Sequence, residues 1–223
     1  MSIIRPGSDF FKIIDSEIKS YYLGIILSDG WINNQNRVVS YLVSEKDKSL
    51  LEPLTKIFNI KIHERKGSGY SLLSDKKYYY INICNKKVCD DLKSFGITIK
   101  KSNNEKIDWS RIPKNLLNHF IRGYFDGDGC ITTGTYNITK CCISIVGNKT
   151  FLLELSKEIN SGHIIVKPTF SVLQIQNRQD AWKFYQYLYK DATIYLIRKK
   201  EKFDNFPWNC GKYKTTQING VKI

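Results

Sequence analysis

No stretch of the 223 residues approaches the ~20 consecutive apolar side chains needed to cross a bilayer. The opening MSIIRPGSDFFKIIDSE carries acids where a secretory leader would need an apolar run and a small-residue cleavage site. The expectation is an intracellular protein that is not secreted. Histidine is scarce: His63, His119 and His163 stand far apart. The six cysteines contain no C-x-x-C pair, so no zinc-site spacing emerges, and reduced thiols are expected. Acidic residues are also in short supply, 21 against 35 Lys plus Arg.

What is present begins with that imbalance, a formal net charge of +14 on a chain of ordinary globular composition, 42% hydrophobic and 25% charged. Residues 1–112 hold 19 basic and 13 acidic side chains, and residues 113–223 hold 16 and 8. Two similarly basic halves suit one extended polyanion touched by both, of which nucleic acid is the commonest.

An internal repeat organises the chain. YYLGIILSDG at 21–30 aligns without gaps to FIRGYFDGDG at 120–129, so that Gly24, Asp29 and Gly30 recur 99 residues later as Gly123, Asp128 and Gly129. Leu51-Glu52 recurs at an offset of 102 and Ile81-x-Ile83-x-Asn85 at an offset of 92. The drift places about ten extra residues in the first copy, in a longer hairpin loop around KGSGYSLLSDKK. Apolar periodicity predicts helices over 14–28, 47–58, 86–95, 149–159 and 180–189, and strands over 37–44, 78–85, 138–146 and 170–177. Each copy reads helix, two strands, helix, two strands, helix. Residues 1–112 and 113–206 are two repeats, followed by a polar tail at 207–223.

The repeated helix has small residues four apart, Gly24 with Ser28 and Gly123 with Gly127, which lie on one face and permit close helix contact. Each copy ends in an aspartate, where the helix already presents partial negative charge and free carbonyls. Two such ends side by side would be relieved by a divalent cation with oxygen ligands.

YLGIILSDG (22–30) and IRGYFDGDG (121–129) resemble the two motif copies of the LAGLIDADG homing endonucleases, and the resemblance extends over roughly residues 17–204. It implies an α+β fold of two pseudo-twofold-related αββαββα repeats, with the motif helices packed together and two saddle-shaped antiparallel sheets facing DNA. It implies a monomeric, site-specific endonuclease that makes a double-strand break with 3′ overhangs at a long asymmetric target. Such an enzyme resides in the cytoplasm or an organelle matrix with access to DNA. The alternative is an intron RNA maturase, or a DNA-binding protein that does not cut. Asp29 and Asp128 then bind Mg²⁺ or Mn²⁺, aided by the carbonyls of Ser28 and Gly127. Lys46 and Lys149 are the candidate basic residues of the two sites. The sixth motif position departs, being Leu27 in one copy and Asp126 in the other.

DNA reading falls to strand residues facing away from the core, because β-ribbons enter the major groove. The candidates are Asn33, Gln35, Arg37, Ser40, Lys61, His63, Arg65, Tyr80 and Asn82 in the first repeat. In the second they are Thr135, Asn137, Lys140, Ser144, Lys167, Thr169, Gln174, Gln176 and Arg178.

Overall fold

The computed structural model describes residues 5–67, 76–99, 104–133 and 141–208. The first repeat runs α1 (Glu17–Ser28), β1 (Trp31–Ile32), β2 (Val39–Ser44), α2 (Glu52–Phe58), β3 (His63–Lys66), β4 (Lys77–Ile83) and α3 (Lys86–Ser94). The second runs α4 (Leu117–Asp128), β5 (Gly129–Thr133), β6 (Cys141–Gly147), α5 (Lys149–Ile159), β7 (His163–Val166), β8 (Ser171–Ile175) and α6 (Arg178–Tyr189), and adds α7 (Ile197–Asp204). Each repeat forms a four-stranded antiparallel sheet, in the orders β1-β2-β4-β3 and β5-β6-β8-β7. Asparagines set three helix starts directly after strands: Asn85, Asn148 and Asn177 each accept a backbone N–H of the first turn.

One reading of the sequence changes. The predicted helix over 47–58 is a 3₁₀ segment over Glu45–Leu51, then α2. Pro53 lacks an amide hydrogen and fits the first turn of α2, so the α-helix starts beside it. The register of the repeats holds: Trp31 and Cys130, each two residues past a motif aspartate, pair with Ser40 and Ser144, which pair in turn with Asn82 and Gln174, an offset of 92 residues between β4 and β8. The predicted facing holds with it: Tyr79, Ile81, Ile83, Leu173 and Ile175 are all buried. The longer first-repeat connection lies between Lys66 and Lys77, against Val166 to Ser171 in the second, and its residues 68–75 lie outside the described residues. The tail from residue 209 also lies outside them. Among the described residues the cysteines are free thiols, and no helix is long and apolar enough to cross a membrane.

The repeats meet where α1 crosses α4, and the contact is backbone to backbone. A methyl added at Gly24 would lie 2.1 Å from the Phe120 carbonyl oxygen, and one at Gly123 would lie 2.0 Å from that of Tyr21. Arg122 of α4 is fully buried and donates to Glu17 of α1 at 2.6 Å and to the carbonyls of Leu188 and Ile194 at 2.8 and 2.9 Å. Glu17 also accepts the Thr193 amide at 2.8 Å, so one ion pair ties both repeats to the segment before α7. A partner at each guanidinium nitrogen is what makes a buried charge tolerable.

Asp126 makes a second tie. Its buried carboxylate accepts from Tyr21 at 2.9 Å, Tyr189 at 3.0 Å and the Leu196 amide at 2.7 Å. The sixth motif position therefore has a structural use in the second copy, whereas Leu27 packs in the core. Burial outweighs these donors and pushes the Asp126 carboxyl up to about 6.

Two outcomes follow from this packing. Gly123→Ala should lower unfolding free energy by about 3 kcal/mol in urea titrations, because backbone on the opposing helix leaves no room for the methyl. For Asp126, a native pKa above the unfolded value near 3.9 means the folded state holds a proton that the unfolded state releases between about pH 4 and 6. Its contribution to stability therefore falls as pH rises through that window. Wild type should lose about 2–3 kcal/mol relative to Asp126→Asn between pH 4 and 6.5, read from paired denaturation curves. A constant difference between the two proteins would contradict the shift.

Candidate functional site

The crossing of α1 and α4 carries their C-terminal ends to one place. Asp29 caps α1 and is exposed, while Asp128 is the last residue of α4 and is half-buried. A methyl at Gly127 would lie 2.0 Å from the Ser28 hydroxyl and 3.1 Å from Asp29 Oδ2, which sets the Asp29 carboxylate against the last turn of α4. Tyr124, one turn before Asp128, donates its phenol to the Val146 carbonyl at 2.9 Å. Burial raises that phenol well above its usual value, and Asp128 and Asp29 both add to the shift. The fields of the two acids thus converge on one side chain.

Lys199 of α7 occupies the space beneath them. Its buried ammonium donates to the carbonyls of Phe125, Asp126 and Gly127 at 2.7, 2.7 and 3.2 Å, satisfying acceptors that the end of α4 leaves open. Burial lowers its pKa to about 8, while Asp126, Asp29 and Asp128 act in the opposite direction. The Gly127 carbonyl, an expected metal ligand, is thus shared with an ammonium. The Ser28 hydroxyl is directed to the carbonyls of Gly24 and Ile25 at 3.2 and 3.1 Å.

Beside Asp29 lies a recess of about 380 Å³ lined by Trp31, Tyr41, Ser44, Asp47 and Arg198 among others. Arg198 Nε sits 3.1 Å from Asp47 Oδ1, and the Ser44 hydroxyl donates to Asp47 Oδ2 at 3.0 Å. Lys46 does not line this recess and is exposed on the 3₁₀ segment. Lys149 is exposed at the first turn of α5. Asn148, its neighbour, caps that helix and is bound to Glu105, its amide and Nδ2 each 2.8 Å from the Glu105 carboxylate. Among the described residues, Arg198 shares the recess with Asp29 and Lys199 lies within the field of both acids. Their signal in the sequence was the phase of the basic run: Leu196, Lys199 and Phe203 share a helix face, and all three are buried.

The expected DNA-facing residues divide by register. Ser40 pairs with Asn82, Tyr80 with His63, and Tyr78 with Arg65, which puts all of them on the outward face of the first sheet. The Ser40 hydroxyl donates to Asn82 at 2.7 Å, and the His63 ring stacks on Tyr80 at 5.2 Å. Asn33 spends its side-chain oxygen on the amides of Arg37 and Val38 at 2.8 and 3.1 Å, shaping the β1–β2 turn that exposes Gln35 and Arg37. Lys61 is exposed ahead of β3. In the second sheet Ser144 pairs with Gln174, and both face outward. Gln176 is exposed just beyond and donates to Gln174 at 2.9 Å. Lys167 and Thr169 are exposed between β7 and β8. Arg178 turns instead to the Pro207 carbonyl and lies over the Phe206 ring. Thr135, Asn137 and Lys140 lie outside the described residues. Sequence reasoning missed His163, which pairs with Gln174 as His63 pairs with Tyr80.

Among the described residues no three His, Cys, Asp or Glu side chains gather as a metal cage. The donor set near the helix ends is one carboxylate per repeat with main-chain carbonyls. Hard oxygens in small number suit Mg²⁺ or Mn²⁺, which retain water and take further ligands from phosphate.

No family model matches the sequence. A curated relative, the probable translation initiation factor IF-2 of Methanocaldococcus jannaschii, is 25% identical over 208 residues, and the match covers 90% of this chain but only 16% of that protein. Among solved structures, the LAGLIDADG meganuclease I-AabMI bound to uncleaved DNA superposes with a TM-score of 0.58 at 14% identity, covering 86% of this chain and 89% of that one. The homing endonuclease I-WcaI on its DNA recognition sequence gives 0.56 at 18% identity, covering 86% and 90%. Full-length DUF199/WhiA from Thermatoga maritima gives 0.56 at 18% identity, covering 90% of this chain and 63% of that one. With both motif helices, both sheets and most of the chain in common, this protein has the LAGLIDADG fold, its two pseudo-twofold-related repeats carried on one polypeptide.

Proposed function

We propose that the protein is a monomeric, site-specific DNA endonuclease that requires Mg²⁺ or Mn²⁺ and cuts both strands of a long asymmetric target, leaving 3′ overhangs. The observation that carries this reading is the pairing of Asp29 with the last turn of α4 and Asp128, one acid from each repeat at a shared helix crossing. The outward sheet faces on either side and the charge of +14 support a duplex lying across both repeats.

In this reading Asp29 and Asp128 hold the metal, which supplies charge stabilisation at the phosphate and lowers the pKa of an attacking water. The protein's own part is placement. The α1–α4 contact fixes the spacing of the acids, and Lys199 occupies the carbonyls at the end of α4. Arg198, held by Asp47, stands at the mouth of the recess beside Asp29, where a cation can support developing charge on a phosphate. Tyr124 and Tyr41 stay protonated, their phenols raised first by burial.

Asp29→Asn and Asp128→Asn should each abolish double-strand cleavage of a site selected from a randomised duplex library in Mg²⁺, and leave affinity within a few-fold of wild type. Phosphate contacts, not the acids, carry most of the binding and its steep salt dependence. Sequence-selective binding by wild type without any nicking, in Mg²⁺ or Mn²⁺, would establish the non-cleaving or maturase alternative instead.

The two sites should also differ in rate. Arg198→Met should slow cutting of one strand by about tenfold or more, since lost charge stabilisation is commonly worth a few kcal/mol, whereas Lys46→Met should change either strand by less than about threefold. Time courses on duplexes labelled at each strand distinguish them. A larger effect from Lys46 than from Arg198 would return the role to the 3₁₀ segment.

A further inference from the structure

The outward faces of the two sheets are not chemically equivalent, and the difference is sharpest in the row nearest the helix ends. The β1–β2 and β5–β6 registers, carried to the helix ends, set Leu42 opposite Asp29 and Val146 opposite Asp128. The row through Leu42 on the first sheet continues with Tyr80 and His63 across β4 and β3, and the row through Val146 on the second continues with Val172 and Ile165 across β8 and β7. A phenol and an imidazole beside one leucine in the first repeat are replaced by three branched aliphatic side chains in the second. These three are not core residues. Their strand neighbours Ile145 and Leu173 are fully buried and Ile164 packs against the core, so alternation turns Val146, Val172 and Ile165 the other way. Val146 is 39% exposed and the other two are half-buried.

The row is continuous with the candidate site. The carbonyl of Val146 accepts the Tyr124 phenol at 2.9 Å, one helical turn from Asp128. Exposed Lys149 and Lys167 follow β6 and β7, so the aliphatic row sits within a basic surface suited to a polyanion. On the base edges of a major groove the one apolar group is the C5 methyl of thymine. Strands about 4.8 Å apart spread three side chains over about 10 Å, which matches about three base pairs at about 3.4 Å each.

We infer that Val146, Val172 and Ile165 read thymine methyl groups in the half-site under the second repeat, close to the cut, while the first repeat reads its half-site through polar and aromatic groups. This specificity assignment rests on the endonuclease reading of the same faces.

The experiment uses the full chain and a duplex recovered by selection from a randomised library. Thymines in one half-site at a time are replaced by deoxyuridine, which removes the methyl and leaves pairing intact, and affinity is read by fluorescence anisotropy without divalent metal. In one half-site near the cut, affinity should fall roughly threefold per methyl removed, about the value of one buried methyl group. The other half-site should be insensitive. In the Val146→Ser/Val172→Thr/Ile165→Thr protein, the thymine and uracil duplexes should bind equally. Selective binding that ignores the substitution in both half-sites overturns the inference alone, as does sensitivity that persists in the triple variant. If the row instead covered a second copy of the chain, the wild type would be a dimer and the variant a monomer by light scattering, which also overturns it. Failure to select any duplex removes the endonuclease reading and this inference with it.

Discussion

Everything in this molecule depends on two helices touching through their backbones. With Gly24 and Gly123 facing carbonyls on the opposing helix, α1 and α4 approach more closely than side chains would permit, and the axis between the repeats passes through that contact. The closeness has an electrostatic consequence. Two helix C-termini, two terminal aspartates and the Asp126 carboxylate concentrate negative charge in a region that is largely buried on the protein side.

The rest of the fold answers that concentration. Lys199, buried, is aimed at it, and it reaches its place because the segment after α6 returns across the helix pair, where Arg122 and Glu17 hold that segment. Thr193 and Ile194 bond Glu17 and Arg122, the Leu196 amide bonds Asp126, and Lys199 covers the last carbonyls of α4. The additional helix α7 is therefore part of the architecture around the candidate site. It also breaks the symmetry between the repeats, because Arg198 on the same helix serves the recess beside Asp29 while Glu105 of the linker meets Asn148 in the other repeat.

Much of this was legible in the sequence where burial follows a local period. The bounds of α5, the alternation of β4 and β8 and the paired Asp–Gly steps are all set by neighbours within a few residues. The register between repeats was legible too, because the Asp–Gly steps anchor β1 and β5 and, through them, β4 and β8. Lys46 and Lys149, which the resemblance implies, each follow a strand, and that place is an exposed 3₁₀ segment in one repeat and an exposed first helical turn in the other. Lys199 and Arg198 were hidden for a different reason. A basic helix reads as solvated until the fold shows which of its faces is turned inward.

The central claim is that the two acids at the helix crossing form one metal-requiring centre on DNA. Its most direct measurement is Mn²⁺ binding by electron paramagnetic resonance, titrated into the complex of the protein with its selected duplex. Binding by wild type that weakens by at least about tenfold in Asp29→Asn and in Asp128→Asn is the predicted result, since each change removes a charged ligand. Undiminished Mn²⁺ binding in a protein lacking both carboxylates would contradict it.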